Sequence, residues 1–181
     1  MDVAIFGGSF DPFHTAHEKI VSLALKKLKI SKLFIIPTFL NPFKNSSFLD
    51  ANIRLNLINE LYMNEKNIEI IDYEVKLNTK VSTFNTVQYL KQKFNLDKIY
   101  LIIGADNLNE IHLWYNFKNL KNEVTFVVLS RDDILIENKY IDFIHLKLEE
   151  NISSSELRKN MDINYIPKKI QKKVKELWKI E

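Results

Sequence analysis

The stretch FGGSFDPFHTAH, Phe6 to His17, decides the expected fold, because it holds two of the three glycines and two of the four histidines of a 181-residue chain. The apolar run at residues 3–6, which two glycines follow, predicts a buried strand and then a tight loop. Apolar residues next recur at helical spacing, which predicts a helix at residues 15–29. A strand, a glycine loop and a helix in this order can hold phosphate, since a helix N-terminus offers unpaired N–H groups and a partial positive charge.

Length and composition restrict the class of protein. A chain of 181 residues predicts a single domain, residues 1–181, and the 46% hydrophobic and 27% charged content is typical of a folded globular protein. No apolar stretch reaches the ~18 residues of a membrane span and no signal peptide is recognisable, so we expect a cytoplasmic location. The lack of cysteine excludes disulfides, thiolate metal sites and cysteine nucleophiles. Lysines spread along the chain account for the net charge of +3, which therefore does not indicate a nucleic-acid partner.

Strands and helices alternate through the rest of the chain. Apolar runs predict strands at residues 33–36, 68–77 (one strand or two), 99–103, 124–129 and 140–146. Helices are predicted from the cap Asp50 to about Tyr62, from Ser82 to about Lys93, after the capping-box sequence SSSE that starts at Ser153, and from Pro167. The run at 99–103 ends at Gly104 and predicts a central parallel strand. The alternation predicts an α/β fold in which helices cover both faces of one open parallel sheet.

The glycine loop belongs to neither of two common phosphate-binding types. The dinucleotide fingerprint needs three glycines in six positions, and the P-loop needs a Gly-Lys-Ser/Thr sequence that this chain lacks. The loop does offer His14 and His17, three residues apart, on one face of the first helical turn. Imidazoles there could stabilise charge on a phosphate in a transition state, which indicates phosphoryl or nucleotidyl transfer. The alternative is that both histidines only cap or pack.

Two motifs carry a resemblance to a known family. GGSFDPFHTAH is similar to the first signature of the HxGH nucleotidyltransferase superfamily, and ISSSELR, residues 152–158, resembles its second signature. IIPTFLNPFK, VSTFNTV, IIGADNL followed by LWYNF, and the late YIP are similar, in the same order, to segments of bacterial nicotinate-nucleotide adenylyltransferases. This resemblance implies a Rossmann-like fold. It also implies an enzyme that joins the AMP part of ATP to nicotinate mononucleotide and releases pyrophosphate.

The resemblance also implies roles for individual residues. His14, His17 and Arg158 would be the catalytic residues. The ATP-binding residues would be Gly8, Ser9, Phe10, His14, His17, Gly104, Asp106, Ser154, Ser155 and Arg158. The mononucleotide would be bound by Lys44, Thr83, Trp114 and Tyr115. Mg²⁺ would be held mainly by the ATP phosphates, with no metal site on the protein.

This chain departs from the family pattern at several positions. Ala16 replaces the glycine of the HxGH pattern, Phe43 a histidine, Ser82 an aromatic residue and Asn85 an aspartate, so the pyridine pocket is less well defined than the phosphate site.

Three other functions stay open at this point. A related nucleotidyltransferase could use another phosphate acceptor, such as phosphopantetheine or a polyol phosphate. A metal-dependent hydrolase could use Asp11, His14 and His17 with His112 or His145. A nucleic-acid-binding protein could use the lysines at 168–179, although a solvated helix face explains them better. The sequence also leaves open a homo-oligomer and the choice between nicotinate and nicotinamide.

Overall fold

Six parallel strands form the centre of the structure, a computed structural model that describes residues 1–42, 45–130, 137–148 and 152–179. The strands are β1 (Val3–Gly8), β2 (Lys32–Pro37), β3 (Ile68–Ile70), β4 (Ile99–Gly104), β5 (Thr125–Ser130) and β6 (Phe143–Lys147). Their order in the sheet is β3-β2-β1-β4-β5-β6, and every neighbouring pair is parallel. The predicted open parallel sheet is confirmed, with the run at 99–103 near its centre.

Helices cover both faces of this sheet. They are α1 (Thr15–Lys27), α2 (Ala51–Tyr62), α3 (Tyr73–Leu77), α4 (Thr83–Lys93), α5 (Phe117–Glu123), α6 (Ser154–Asn160) and α7 (Gln171–Trp178), with 3-10 turns at Ala105–Asn107, Ile111–Leu113 and Ile163–Tyr165. Alternate residues of β1 point to opposite faces, so Ala4 and Phe6 pack with α1, α2, α6 and α7, whereas Val3 and Ile5 pack with α4 and α5. The apolar run of β1 is therefore buried on both sides, as a central parallel strand requires.

The chain changes direction across the sheet at β1. It moves outward from β1 to β2 and β3, and later returns to β4 on the other side of β1. In an open parallel sheet, the carboxyl ends of the two strands beside such a reversal leave a crevice in which ligands bind. The glycine loop (residues 7–14) and the turn after Gly104 both lie at this edge.

Side-chain caps begin several helices where the sequence predicts them. Asp50 accepts a hydrogen bond from the N–H of Asn52 at 2.8 Å, and Ser82 accepts one from Asn85 at 3.3 Å. Ser153 and Glu156 form the reciprocal capping box at the start of α6. These caps satisfy N–H groups that have no partner inside the helix, which is why such short polar residues mark helix starts.

Four predicted boundaries are wrong. The segment at 68–77 is extended only to Ile70 and then forms α3, which ends at Asn78 in the left-handed conformation (φ 53°) that asparagine tolerates. β6 begins at 143 rather than 140, since the Asn138 side chain accepts from the N–H of Tyr140 and holds a turn there. α7 begins at Gln171, four residues after Pro167, which instead opens a turn in which the N–H of Ile170 donates to the proline carbonyl. β1 extends through both glycines rather than ending at Phe6.

Candidate active site

The glycine loop is fixed by a buried aromatic ring. Phe10 has a left-handed backbone (φ 48°), and its side chain turns inward. Its ring centroid lies 5.2 Å from that of Phe6 and 5.0 Å from that of His17. A Cβ atom built on Gly8 would lie 2.9 Å from the Phe10 ring, so only glycine fits at position 8 in this arrangement. Phe10 thus supports the loop from below.

His14 and His17 lie together at the start of α1. Their rings stack with centroids 3.7 Å apart, which confirms the shared face predicted from their spacing. The Nδ1 atom of His17 accepts a hydrogen bond from the backbone N–H of His14 at 3.1 Å. A neutral imidazole that accepts at Nδ1 carries its proton at Nε2, so His17 presents an Nε2–H donor. The Phe13 ring also contacts His17 at 5.0 Å and further restricts its orientation.

The second motif meets the first at this loop. Arg158, in α6, donates from Nη1 to the backbone carbonyl of Asp11 at 2.7 Å, although 147 residues separate the two in sequence. Its Nη2 atom donates to the hydroxyl of Ser155 at 3.2 Å, and Ser154 opens the same helix. The structure therefore places the guanidinium beside the loop that leads into the histidine pair, so both motifs contribute to one surface.

The turn after β4 brings an exposed carboxylate to the same edge of the sheet. A Cβ atom on Gly104 would lie 2.3 Å from Oδ1 of Asp106, so glycine allows the aspartate to fold back over the strand end. Asn107 donates to both the Gly104 carbonyl (3.2 Å) and the Asp106 carboxylate (3.1 Å). Asp106 lies within a 3-10 turn rather than at its cap, so helix capping alone does not explain this residue.

A cavity of about 370 Å³ opens between the ends of β1, β2 and β4. Five of the predicted site residues line it: Gly8, Thr83, Gly104, Trp114 and Tyr115. Trp114 is half-buried, and the Tyr115 side chain is 65% exposed with its ring 6.3 Å from Phe84. A larger, open depression of about 840 Å³ beside residues 137–143 contains none of the predicted residues. The smaller cavity, which borders the glycine loop, is the better candidate for a ligand site.

Arg54, which the sequence analysis did not single out, is buried beside the glycine loop. The residue is 1% exposed, and its guanidinium donates to the carbonyls of Ser9, Thr38 (2.8 Å), Phe39 (2.7 Å) and Leu49 (3.1 Å). Burial lowers the pKa of Arg54, and the nearby Asp11 and Asp50 carboxylates oppose that change. A signal was present in the sequence, because Arg54 occupies a core-facing position of α2 between Ala51 and Leu57.

Glu74 is a second buried charge-bearing residue outside the predicted set. It is 6% exposed, lines the cavity, and accepts a hydrogen bond from the Thr86 hydroxyl at 2.7 Å. Burial raises the pKa of its carboxyl to about 7, and the Thr86 hydrogen bond opposes this increase only in part. Its position follows from α3, which the sequence analysis interpreted as a strand.

The residues that depart from the family pattern take different places in the structure. The Ala16 methyl group is buried in the apolar cluster beneath α1, so the core accommodates it. Ser82 acts as the cap of α4 and also lines the cavity. Asn85, in the first turn of α4, supplies the N–H that this cap accepts. Phe43 and Lys44 lie outside the described residues, so the predicted role of Lys44 stays a prediction.

The side-chain set predicted for a hydrolase is not assembled. Among the described residues, no three His, Asp or Glu side chains are grouped so that they could hold a metal ion. Asp11 uses its two carboxylate oxygens to accept from the N–H groups of Phe48 and Leu49. His112 stacks on Tyr140 at 4.4 Å, and His145 lies 2.7 Å from the Ser130 hydroxyl.

The C-terminal lysines extend from a helix that packs on α2. Lys169 donates to the Leu61 carbonyl at 3.1 Å and Lys173 pairs with Glu60, while Val174 and Trp178 are buried beneath. This arrangement agrees with a solvated helix face. No helix in the described ranges is both long and apolar enough to cross a membrane.

A parallel sheet with a glycine loop, stacked histidines and an arginine at its switch point is the arrangement of a nucleotidyltransferase. The Cytidylyltransferase-like family model matches residues 5–160. A curated relative from Sulfurimonas denitrificans is 45% identical over 99% of this chain and 96% of its own length, and one from Aliarcobacter butzleri is 42% identical over 99% and 98%. Both are named "Probable nicotinate-nucleotide adenylyltransferase". The chain belongs to the cytidylyltransferase-like family and, within it, to the nicotinate-nucleotide adenylyltransferases.

Solved structures share the fold. The Plasmodium falciparum nicotinic acid mononucleotide adenylyltransferase complexed with APC has a TM-score of 0.76 at 22% identity, covering 99% of this chain and 96% of that one. The same enzyme complexed with NaAD has a TM-score of 0.75 at 21% identity, again over 99% and 96%. At this identity the comparison supports the fold, and the curated relatives confirm the family predicted from the two motifs.

Proposed function

We propose that this protein transfers AMP from ATP to nicotinate mononucleotide, giving deamido-NAD and pyrophosphate, as a cytoplasmic step of NAD biosynthesis. The observation that carries the proposal is the 2.7 Å hydrogen bond from Arg158 to the Asp11 carbonyl, because it joins the two nucleotidyltransferase motifs at one surface. The 42–45% identity to curated relatives of that name, over nearly the full length of the chain, supports the choice of substrates.

The histidine pair and α6 would bind the ATP phosphates. The Nε2–H of His17 would donate to the α-phosphate, with stacked His14 beside it. Arg158 would add a positive charge toward the β- and γ-phosphates, together with the hydroxyls of Ser154 and Ser155. Because Arg158 already donates to Asp11 and contacts Ser155, its guanidinium is held in place before ATP arrives. Such preorganised donors stabilise charge that develops on phosphate in the transition state.

The adenosine part of ATP would lie along the loop ends. Gly8, Ser9 and Phe10 would form the floor under the nucleotide, where a larger residue than glycine at position 8 would collide with Phe10. Asp106 would accept hydrogen bonds from the ribose hydroxyls, since it is exposed directly after β4 beside Gly104. This is the edge at which open parallel sheets bind nucleotides.

The mononucleotide would occupy the cavity of about 370 Å³. Its pyridine ring would stack on Trp114, and the ring carboxylate would be bound near Thr83 and Tyr115, both of which line the cavity. Lys44 would supply a positive charge for the mononucleotide phosphate. That phosphate would then face the glycine loop, since Gly8 borders the cavity.

The reaction needs alignment more than side-chain chemistry. A phosphate oxygen of the mononucleotide would attack the α-phosphorus of ATP, forming a new P–O bond while the bond to the bridging oxygen breaks and pyrophosphate leaves with the electron pair. No covalent enzyme intermediate is required. A Mg²⁺ ion would be held mainly by phosphate oxygens and water and would supply charge neutralisation.

The test is to mix purified protein with ATP, Mg²⁺ and either nicotinate or nicotinamide mononucleotide, and to measure pyrophosphate and dinucleotide together. We expect equal amounts of pyrophosphate and deamido-NAD, with the relative rates giving the preference for the acid or the amide. A preparation from the same host without the expressed protein serves as the blank for contaminating activity. Absence of product with both mononucleotides, combined with turnover of phosphopantetheine or a polyol phosphate, would refute the assignment.

A further inference from the structure

We propose that Arg54, together with Asp11, couples the binding of ATP to the binding of the mononucleotide by holding two loops as one unit. The loops are the glycine loop and the β2–α2 loop, whose described residues are 38–42 and 45–50. The inference rests on the proposed function, in which ATP lies on the glycine loop and the mononucleotide lies in the cavity. Arg54 and Asp11 are positioning residues, because their contacts are to the protein chain.

One nitrogen atom of Arg54 bridges the two loops directly. Its Nη1 donates to the Ser9 carbonyl of the glycine loop and, at 2.8 Å, to the Thr38 carbonyl at the start of the β2–α2 loop. Nη2 and Nε extend the contact to Phe39 and Leu49, at both ends of the second loop. Since the guanidinium is planar and rigid, a displacement of either loop would break bonds that also position the other.

Asp11 supplies a second link, in which the glycine loop provides the side chain and the β2–α2 loop provides the backbone groups. Its carboxylate oxygens accept from the N–H groups of Phe48 (2.7 Å) and Leu49 (2.8 Å), so the glycine loop also holds the far end of the β2–α2 loop. The Asp11 carbonyl accepts from Arg158, which extends the connection to the proposed phosphate site. The negative charge of Asp11 also attracts the buried Arg54 guanidinium and offsets part of the penalty of its burial.

Ordinary strand pairing does not replace these links. The N–H of Thr38 donates to the Gly8 carbonyl at 3.0 Å, which continues the pairing of β1 with β2 by one residue. That bond holds only the bases of the two loops. The Arg54 Nη1 bridge lies beside it, at Ser9 and Thr38, whereas Asp11 and the Arg54 Nε atom reach the far end of the β2–α2 loop at Phe48 and Leu49.

The glycine loop would contact both substrates, because Gly7 and Gly8 border the cavity and Ser9 and Phe10 would lie under ATP. The second loop would contact the mononucleotide, since Thr38, Asn41 and Pro42 line the cavity. A ligand that favours one arrangement of its own loop therefore favours the matching arrangement of the other. Coupling of this kind is reciprocal, so ATP should raise the affinity for the mononucleotide by the same factor as the mononucleotide raises the affinity for ATP.

The test compares variants that remove the links with variants that only weaken the fold. Arg54→Lys keeps the charge, but a single ammonium group cannot span four carbonyls. Asp11→Asn is the second link variant, since it replaces one carboxylate oxygen by an amide that cannot accept. Lys169→Met removes a different side-chain bond to a backbone carbonyl, that of Leu61 near the C-terminal end of α2. Leu120→Ala removes buried side-chain volume from the other core cluster and lowers the melting temperature without touching either loop.

The measurement is calorimetric titration of nicotinate mononucleotide, alone and with a saturating ATP analogue whose α- and β-phosphates are joined by a methylene group. The analogue cannot transfer AMP, so binding is measured without turnover. We expect the wild-type dissociation constant to fall about 5-fold or more in the presence of the analogue, within the usual range of coupling between sites. The factor should drop below about 2-fold in Arg54→Lys and Asp11→Asn and stay at the wild-type value in both control variants.

Two results would overturn the inference. One is a wild-type enzyme that releases pyrophosphate from ATP in the presence of nicotinate mononucleotide yet has a coupling factor of one, which would leave the proposed function intact. The other is a folded Arg54→Lys or Asp11→Asn variant that keeps the wild-type factor. A wild-type protein that neither binds nor converts either mononucleotide overturns the proposed function as well, so the two failures are distinguishable.

Discussion

Replacing Glu74 by Gln should change the pH dependence of folding in a defined direction. Glu74 lies in α3, is 6% exposed, and accepts a hydrogen bond from Thr86. Its carboxyl has a pKa of about 7 in the folded chain, against 4.5 for an ordinary glutamate. Because the folded state holds this proton more tightly than the unfolded state does, the stability it contributes is complete below pH 4.5 and is lost as the pH rises through about 7.

The size of the effect follows from the two pKa values. Each pH unit between them corresponds to about 1.36 kcal/mol, so the complete loss is about 3 kcal/mol, and most of it falls between pH 5 and pH 8. Glutamine keeps the shape and the carbonyl acceptor for Thr86 but cannot ionise. The free energy of unfolding of wild type should therefore decrease from pH 5 to pH 8 by about 2–3 kcal/mol more than that of Glu74→Gln.

Urea unfolding followed by tryptophan fluorescence at pH 5, 6, 7 and 8 measures this difference. Glu176→Gln is the control, because it makes the same chemical change at an exposed position of α7 and leaves Glu74 in place. Thr86→Val is a second arm: loss of a hydrogen bond that lowers the pKa should move the transition to higher pH. Parallel pH profiles for wild type and Glu74→Gln would refute the reasoning, since the buried carboxyl would then titrate as an exposed one does.

Two further variants test the proposed catalytic surface. His17→Ala should lower kcat by about 10²–10³-fold with a circular dichroism spectrum close to wild type, because it removes the proposed donor to the α-phosphate. Nearly full activity would mean that the histidine only packs. Gly8→Ala should reduce stability by about 1–3 kcal/mol and lower kcat, since the new methyl group would press on the Phe10 ring that contacts His17. The matched control is Gly7→Ala, whose added Cβ would come no closer than 3.9 Å to the Ile36 carbonyl. Equal melting temperatures for the two glycine variants would contradict the steric argument.

The sequence predicts the parts of the fold whose cause is local. The strand, glycine loop and histidine-bearing helix at the N-terminus follow from apolar periodicity and two glycines, and the caps Asp50, Ser82 and Ser153 lie where their hydroxyl or carboxylate groups satisfy the first turn of a helix. The prediction of a strand over residues 68–77 fails because a five-residue helix is too short to show a helical period in the sequence. Only its end has a recognisable signal, the left-handed Asn78.

Contacts between distant segments could be predicted only from the family resemblance. Nothing in the spacing of Asp11 and Arg158 indicates that 147 residues of chain bring them within 2.7 Å. The prediction that both act at one surface came from the order of two motifs that occur together in related enzymes. The structure gives the physical reason, because the Arg158 guanidinium finds a backbone acceptor in the very loop that ends at the histidine pair.

The contacts of Arg54 could not be predicted from residue types. Its position between core-facing residues of α2 indicates a buried arginine, but its four acceptors are backbone carbonyls, and every residue of the chain carries such a group. A partner that any amino acid could supply leaves no pattern in a single sequence, whereas a phosphate-binding histidine or a stacking tryptophan does. The residues proposed to do the chemistry are therefore recognisable from their types and spacing. The residues that hold them in position become visible only when the fold places a buried donor among the carbonyls of two separate loops.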